Sequence, residues 1–254
     1  MADDIDLLKI ETEVLWTIDD RGRLLASRGR SGARAPHLSI GTSHGARTIA
    51  TGSVLPDALA DELRAAVVAE PLPINPAQEP AAFGACERLL HDALGQVERS
   101  AGRAWVIQSL PKVSSDAYIV KSTDAGMPAF ARSVPDGFTW EQDEWQDLMN
   151  GKLGAWAMCT VGGVPVSLCH CARIAPVGIE AGTWTHPDHR GRGYAAAATA
   201  AWAALVLPGG RQIFYSTNAG NRSSERVTER LNLRPIGWRW MLSGTTDPSA
   251  PSPG

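Results

Sequence analysis

Residues 183–195 read Thr-Trp-Thr-His-Pro-Asp-His-Arg-Gly-Arg-Gly-Tyr-Ala and run directly into the alanine-rich stretch 196–204. An extended segment is stopped by Pro187, turned through a loop holding Gly191, Gly193 and two arginines, and released into a strong helix former. At the start of such a helix the first backbone N–H groups lack intrahelical partners, and the helix dipole adds about half a positive charge. Glycine at the two loop positions admits positive φ and lets a ligand approach the backbone closely. Arg190 and Arg192 add guanidinium groups that can fork onto phosphate oxygens. The stretch therefore predicts a strand, an anion seat and a helix, with phosphate as the natural occupant. Alone, it fits an ordinary strand-to-helix loop with exposed arginines equally well.

With 254 residues, 44% hydrophobic and 20% charged, the chain can bury one large core or two modest ones. A formal net charge of -3 offers no bulk attraction for nucleic acid or an anionic membrane, so neither is expected as a partner. No window approaches the roughly 18 uninterrupted apolar residues of a membrane span. The acidic start Ala2-Asp3-Asp4 is the opposite of a signal peptide's basic flank, and a soluble cytoplasmic protein is expected. Four cysteines are too few for a disulfide framework. Cys169-His170-Cys171 looks metal-like, but on a strand the two thiols share one face and the imidazole takes the other. A zinc site also needs a second ligand pair, which the sequence lacks, so no metal is expected.

The first hundred or so residues mix short strand-like runs with two helical ones. Residues 13–18 read as a strand that turns through Asp19-Asp20-Arg21-Gly22 into Leu24-Leu25. Residues 57–69 and 82–97 carry apolar side chains at helical spacing, separated by a stretch broken by Pro71, Pro73, Pro76 and Pro80. His37, His44 and His91 read as surface or packing residues. From Ala104 strand-like runs follow at 104–110 and 117–120, then a short acidic helix at 140–149. A hairpin around Gly162-Gly163 spans 154–171, and a strand at 179–185 feeds the glycine loop. A strand at 211–217, a helix at 221–231 and a last strand at 235–242 complete the pattern. The division expected is an N-terminal α+β region at 1–103, a second domain at 104–243 and a disordered tail at 244–254, rich in Ser, Pro and Gly.

The order strand, hairpin, strand, glycine loop, helix, strand, helix, strand resembles the acyltransferase domain of the GNAT superfamily, the acetyl-CoA-dependent N-acetyltransferases. Its hallmark Gln/Arg-x-x-Gly-x-Gly/Ala is matched by Arg190, Gly193 and Ala195, and Thr185-His186-Pro187 resembles the family's entry to that loop. Residues 221–233, Asn-Arg-Ser-Ser-Glu-Arg-Val-Thr-Glu-Arg-Leu-Asn-Leu, are similar to the second signature, an Asn-led helix ending near Leu-Gly-Phe. The resemblance covers about residues 104–243. It implies an α/β fold with a central mixed, mostly antiparallel sheet flanked by helices, preceded here by the N-terminal α+β segment. That segment could be a lid, a dimer surface of a homodimer, or a degenerate second copy of the fold.

The resemblance also implies site residues. Gly191, Arg192, Gly193, Tyr194 and Ala195, with Arg190, would hold the pyrophosphate of coenzyme A. Thr183, Trp184 and Thr185 would run beside the pantetheine arm, and a strand amide near Thr185 would face the carbonyl oxygen. Asn218, Asn221 and Ser224 would lie at the cofactor, although Asn221 serves equally as a helix cap. Glu180, ten residues before Arg190, stands where several family members place a general base; it reads also as an ammonium anchor or a plain strand carboxylate. The family often protonates the departing thiolate from a tyrosine on the second-signature helix, but Thr228 holds that slot here. Ser224, Thr228 and Tyr215 are the remaining hydroxyl candidates, each also readable as packing. His170 is a candidate for lining the acceptor cleft. The second signature carries Asn232 where glycine is usual, and Asn tolerates the left-handed conformation. The expected activity is acetyl transfer from acetyl-CoA to a primary amine of a small molecule or peptide, by direct attack in a ternary complex. The alternative is a non-catalytic acyl-CoA-binding or regulatory module. A dinucleotide-type loop is disfavoured by the antiparallel hairpin and the lack of Gly-x-Gly-x-x-Gly.

Overall fold

A computed structural model describes residues 2–29, 32–126 and 128–245. In chain order its first elements are α1 (Asp4–Leu15), β1 (Trp16–Ile18), β2 (Leu24–Ser27), β3 (Leu38–Ser43), β4 (Ala46–Thr51), α2 (Asp57–Val68), α3 (Phe83–Leu94) and β5 (Val97–Val106). They are followed by β6 (Tyr118–Lys121), α4 (Gln142–Met149), β7 (Trp156–Val161), β8 (Val164–Ile174), β9 (Gly178–Thr185), α5 (Tyr194–Val206), β10 (Gln212–Asn218), α6 (Arg222–Arg230) and β11 (Arg234–Gly244). The described residues up to Trp105, with Ser216–Asn221 and those from Pro235 on, form one compact unit; Val106–Tyr215 and Arg222–Arg234 form the other. The tail expected from residue 244 lies, from residue 246, outside the described residues, and Gly244 still belongs to β11.

In the first unit β3 pairs antiparallel with β4 and with β11, whose Trp238 to Leu242 face Thr42 to Leu38. Leu38, Ile40, Leu63, Phe83, Leu90, Trp240 and Leu242 form a buried cluster between these strands and α2 and α3. The unit opens on a helix that runs to Leu15, so the strand expected at 13–18 begins only at Trp16. Asp3 caps α1 by accepting the Asp6 N–H at 2.9 Å, and the chain turns extended only at Trp16. The short β1–β2 hairpin follows as expected, pairing Trp16 with Ser27. The helix expected at 82–97 ends at Leu94, because Gly95 takes a φ of 88 and Val97 already begins β5.

In the second unit the strand order is β10-β9-β8-β7-β6. Only β10 with β9 is parallel; the other pairs are antiparallel, so the sheet is mixed and mostly antiparallel. The β7–β8 hairpin turns at Gly162-Gly163, both at positive φ. One face, carrying Cys159, Cys169 and Cys171, packs on α5: the Cys159 thiol donates to the Tyr194 carbonyl at 3.4 Å, and Trp202 Nε1–H contacts the Cys171 sulfur at 3.4 Å. Alanine lets α5 sit this close, since a row of small side chains brings the helix axis near the strands. The opposite face carries Trp156, Met158 and Leu168, covered by Trp145, Leu148 and Met149 of α4. Asn232, after α6, is the only non-glycine residue at positive φ among the described residues, at 49, which is the conformation the second signature's glycine position calls for.

Candidate active site

The glycine loop forms where β9 runs out. His186 accepts the Asp188 N–H on Nδ1 at 3.2 Å, Pro187–His189 make one tight turn, and α5 starts at Tyr194. Gly191 and Gly193 adopt φ of 79 and 86, the left-handed conformations a side chain disfavours. Nothing lies within 4 Å of the place a Cβ would take on Gly191, which leaves that backbone open to a ligand. A Cβ on Gly193 would instead run into the guanidinium of Arg230, at the end of α6. Arg190 leans back on the Thr185 carbonyl at 3.4 Å and Arg192 on that of Asp188 at 3.4 Å. Three guanidinium groups therefore attend the start of α5, two expected from the sequence and one, Arg230, missed. Tyr194 is buried and Ala195 half-buried in the first turn of α5, where the Ala195 carbonyl accepts from Thr199 Oγ1 at 2.8 Å.

The parallel ladder between β9 and β10 pairs Gly178, Ile179 and Glu180 with Gln212, Ile213 and Phe214, and its register ends there. β9 continues through Ala181–Thr185, still paired on its other side with β8. Its free edge thus leads from Glu180 towards the glycine loop. Along it the side chains alternate. Thr183 turns to the α5 face, where its Oγ1 lies 3.3 Å from the Tyr215 hydroxyl. Trp184 turns to the other face; its Nε1–H donates to the Gly137 carbonyl at 3.2 Å, and its ring meets Phe138 edge-on at 4.7 Å. Thr185 Oγ1 lies 2.8 Å from Ser167 Oγ.

Tyr215 and Ser224, two of the three hydroxyl candidates, come together: the Tyr215 phenol also hydrogen-bonds the Ser224 side chain. Burial is the main cause that raises the pKa of this phenol, which keeps it protonated and able to donate. Thr228 lies outside that group, because its hydroxyl donates to the Glu225 carbonyl within α6 at 2.8 Å. Asn218 and Asn221 belong to the first unit, where the Asn221 N–H donates to the Asn218 carbonyl at 3.1 Å.

Glu180 is buried at the point where the β9–β10 ladder ends. Its Oε2 accepts from Arg173 Nη1 in an ion pair that the sequence reading did not foresee. The cause is a β-bulge in β8: Cys171 pairs with Ala181, Ala172 is skipped, and Arg173 pairs with Glu180. The skipped residue turns Arg173 onto the Glu180 face. His170 occupies the same face further along β8, over Gly182, where a Cβ would collide with its Nε2. Trp140 packs edge-on against the imidazole at 4.7 Å, Nδ1 is buried without a partner, and burial lowers the pKa to about 4. The imidazole is thus neutral near pH 7. Cys169 and Cys171 turn the other way, towards Thr199 and Trp202 of α5, so the Cys-His-Cys triplet does not converge. Among the described residues no group of three or more His, Cys, Asp or Glu side chains is arranged to hold a metal ion.

Residues 107–234 match the family model described as the acetyltransferase (GNAT) domain. Comparison with curated proteins gives no match. Solved structures similar to the chain include a tandem GNAT protein from the clavulanic acid biosynthesis pathway, 13% identical, covering 97% of this chain and 98% of that one, with a TM-score of 0.46. A GCN5-related N-acetyltransferase-like protein from Streptococcus suis is 14% identical, covers 82% of this chain and 84% of that one, and has a TM-score of 0.42. An acetyltransferase of the GNAT family from Colwellia psychrerythraea is 11% identical, with 78% and 76% of the chains covered and a TM-score of 0.46.

Proposed function

Because the chain belongs to the GNAT acetyltransferases, we propose that it moves an acetyl group from acetyl-CoA to a primary amine by direct attack in a ternary complex. The observation that carries this reading is the parallel ladder that ends at Glu180 and Phe214 while β9 runs on to the glycine loop. An unpaired strand edge leading to an anion seat suits a ligand with an amide-bearing arm and a pyrophosphate. The residues fit coenzyme A: the backbone of Gly191, Arg192, Gly193, Tyr194 and Ala195 would hold the pyrophosphate, with Arg190, Arg192 and Arg230 adding charge, and Thr183 to Thr185 would bind the pantetheine arm. When bound, acetyl-CoA supplies the thioester that is the acyl donor.

The rest of the chemistry falls to the protein. An alkylammonium must lose a proton before its nitrogen can attack, and Glu180, at the open end of the ladder, is the carboxylate nearest that task. Being buried, it would take the proton through an ordered water. The departing sulfur needs a proton or a hydrogen bond, and the Tyr215 hydroxyl, with Thr183 and Ser224 beside it, is suited to give one. His170, neutral and packed on Trp140, would contribute a wall of the acceptor side rather than a charge.

The test is release of coenzyme A thiol from acetyl-CoA over a panel of amines, polyamines, amino acids, aminoglycosides and peptide N-termini. Glu180→Gln is expected to lose about 10²- to 10⁴-fold in turnover while binding acetyl-CoA normally. Near-normal turnover of that variant across pH would remove Glu180 from the mechanism. The burial of Glu180 and its pairing with Arg173 favour a second reading, a non-catalytic acyl-CoA-binding module. Tight acetyl-CoA binding without thiol release on any amine would select it.

A further inference from the structure

We propose that the acceptor is an arylalkylamine, a primary amine on a flat aromatic body that packs on the half-buried rings of Phe138, Trp140 and Trp184. The inference rests on the acetyl-transfer reading and names the substrate class of that same site. Strand pairing sets Trp156, His170 and Gly182 in one row across β7, β8 and β9, and Met158, Leu168 and Trp184 in the next. Alternation puts Glu180, Gly182 and Trp184 on one face of β9. Gly182, between the carboxylate and the indole, has no side chain to fill that face, and a Cβ there would lie 2.6 Å from His170 Nε2. Ahead of α4 the chain crosses the same face. The Gly137 carbonyl accepts from Trp184 Nε1–H at 3.2 Å, and Phe138 meets the Trp184 ring at 4.7 Å. Phe138 lies 5.0 Å from Trp140, which meets His170 at 4.7 Å. Four rings thus follow one another from Trp184 through Phe138 and Trp140 to His170.

The cluster has two layers. Trp145, Trp156, Met158 and Leu168 are buried and form its sealed part, whereas Phe138, Trp140 and Trp184 are only partly buried and keep ring surface open. Aromatic surface attracts another flat ring through offset and edge contacts, and an ammonium group through the ring quadrupole. The four rings bring no charge of their own, since burial lowers the His170 pKa to about 4 and leaves the imidazole neutral near pH 7. Asp136 and Glu141, which flank Phe138 and Trp140 in the chain, are exposed. A polyamine or aminoglycoside would have to desolvate its further ammonium groups against this wall without a carboxylate from it. An amine with one charge and an apolar body avoids that cost.

The experiment compares kcat/KM for phenethylamine and tryptamine with that for n-butylamine and spermidine, in the wild type, Trp140→Leu and Phe138→Ala. The wild type is expected to prefer the aryl amines by about 10²-fold, the range that apolar pocket contacts supply. Each variant should lower the ratio of phenethylamine to n-butylamine by about tenfold or more and keep the acetyl-CoA Kd within about twofold. A merely structural role would depress both amines together and leave the ratio where it was. Equal or better use of n-butylamine or spermidine by the wild type, or a ratio unmoved in both variants, would overturn the inference while leaving acetyl transfer in place. The wild-type order needs no variant, so the test survives if either substitution prevents folding. If the wild type acetylates no amine, the acetyl-transfer reading falls. Calorimetry of phenethylamine with the chain loaded with coenzyme A then decides the inference separately. Binding that weakens about tenfold in Trp140→Leu would still place an aryl ligand on the wall, and no binding would overturn it.

Discussion

Gly193 shows how local sequence and distant structure meet at one residue. Its φ of 86 was foreseeable from the Arg-Gly-Arg-Gly spacing, because a tight turn into a helix calls for glycine. The guanidinium of Arg230 that fills the space beside it was not, since that neighbour is fixed by the docking of α6 beside α5. Gly193→Ala is therefore expected to strain the turn by about 1 to 3 kcal/mol and to push Arg230 aside. Acetyl-CoA affinity measured by titration calorimetry should fall about tenfold or more, as 1.4 kcal/mol is a factor of ten, with the circular dichroism of the chain unchanged. An unaltered affinity would show that neither the turn nor Arg230 attends the phosphate. The same divide holds at Glu180. Its place on the strand feeding the loop was legible by counting back from Arg190; its burial and its pairing with Arg173 depend on a one-residue bulge that no period reveals.

Among the elements, those with strong punctuation were legible and those that bury polar residues were not. The alanine-rich α5, the hairpin turning at Gly162-Gly163, the helix at 57–68 with its apolar spacing and the acidic helix at 142–149 all lie close to where the sequence puts them. α1 was missed because its buried stripe includes Glu11 and Thr12 among Leu7, Leu8, Val14 and Leu15, which blurs a helical pattern. These polar residues are buried for a reason in β11: Arg239 donates to Glu11 Oε2 at 2.6 Å, to Thr12 Oγ1 at 3.1 Å and to Ser39 Oγ at 3.1 Å. β3 hides in the same way, with Ser39, Thr42 and Ser43 buried beside Leu38 and Ile40. Removing one partner of a buried ion pair leaves the other charge uncompensated. Arg239→Met should thus lower stability in urea unfolding by about 3 to 5 kcal/mol, and the double variant Arg239→Met with Glu11→Leu should recover much of it. A single variant as stable as the wild type would mean that the pair does not hold α1 to β11.

At the scale of the whole molecule, the glycine loop, Glu180, Tyr215 and the α6 residues Ser224 and Thr228 belong to one of two units, while Asn218 and Asn221 belong to the other. The hallmark loop and the Asn-led helix carried the family resemblance, and the family model matches 107–234, the stretch that holds both. The other unit offered composition and spacing but no motif, and its last strand, β11, comes from beyond the family match to pair with β3. Sequence periodicity cannot announce such a return, because pairing partners distant in the chain leave no local mark. The account stands or falls on acyl transfer, and the most direct measurement follows a radiolabelled acetyl group from acetyl-CoA in the presence of the purified chain and a primary amine. Label recovered as an amide on the amine nitrogen, lost in Glu180→Gln, is the expected result. Label that stays on coenzyme A with every amine, although acetyl-CoA binds, would contradict it.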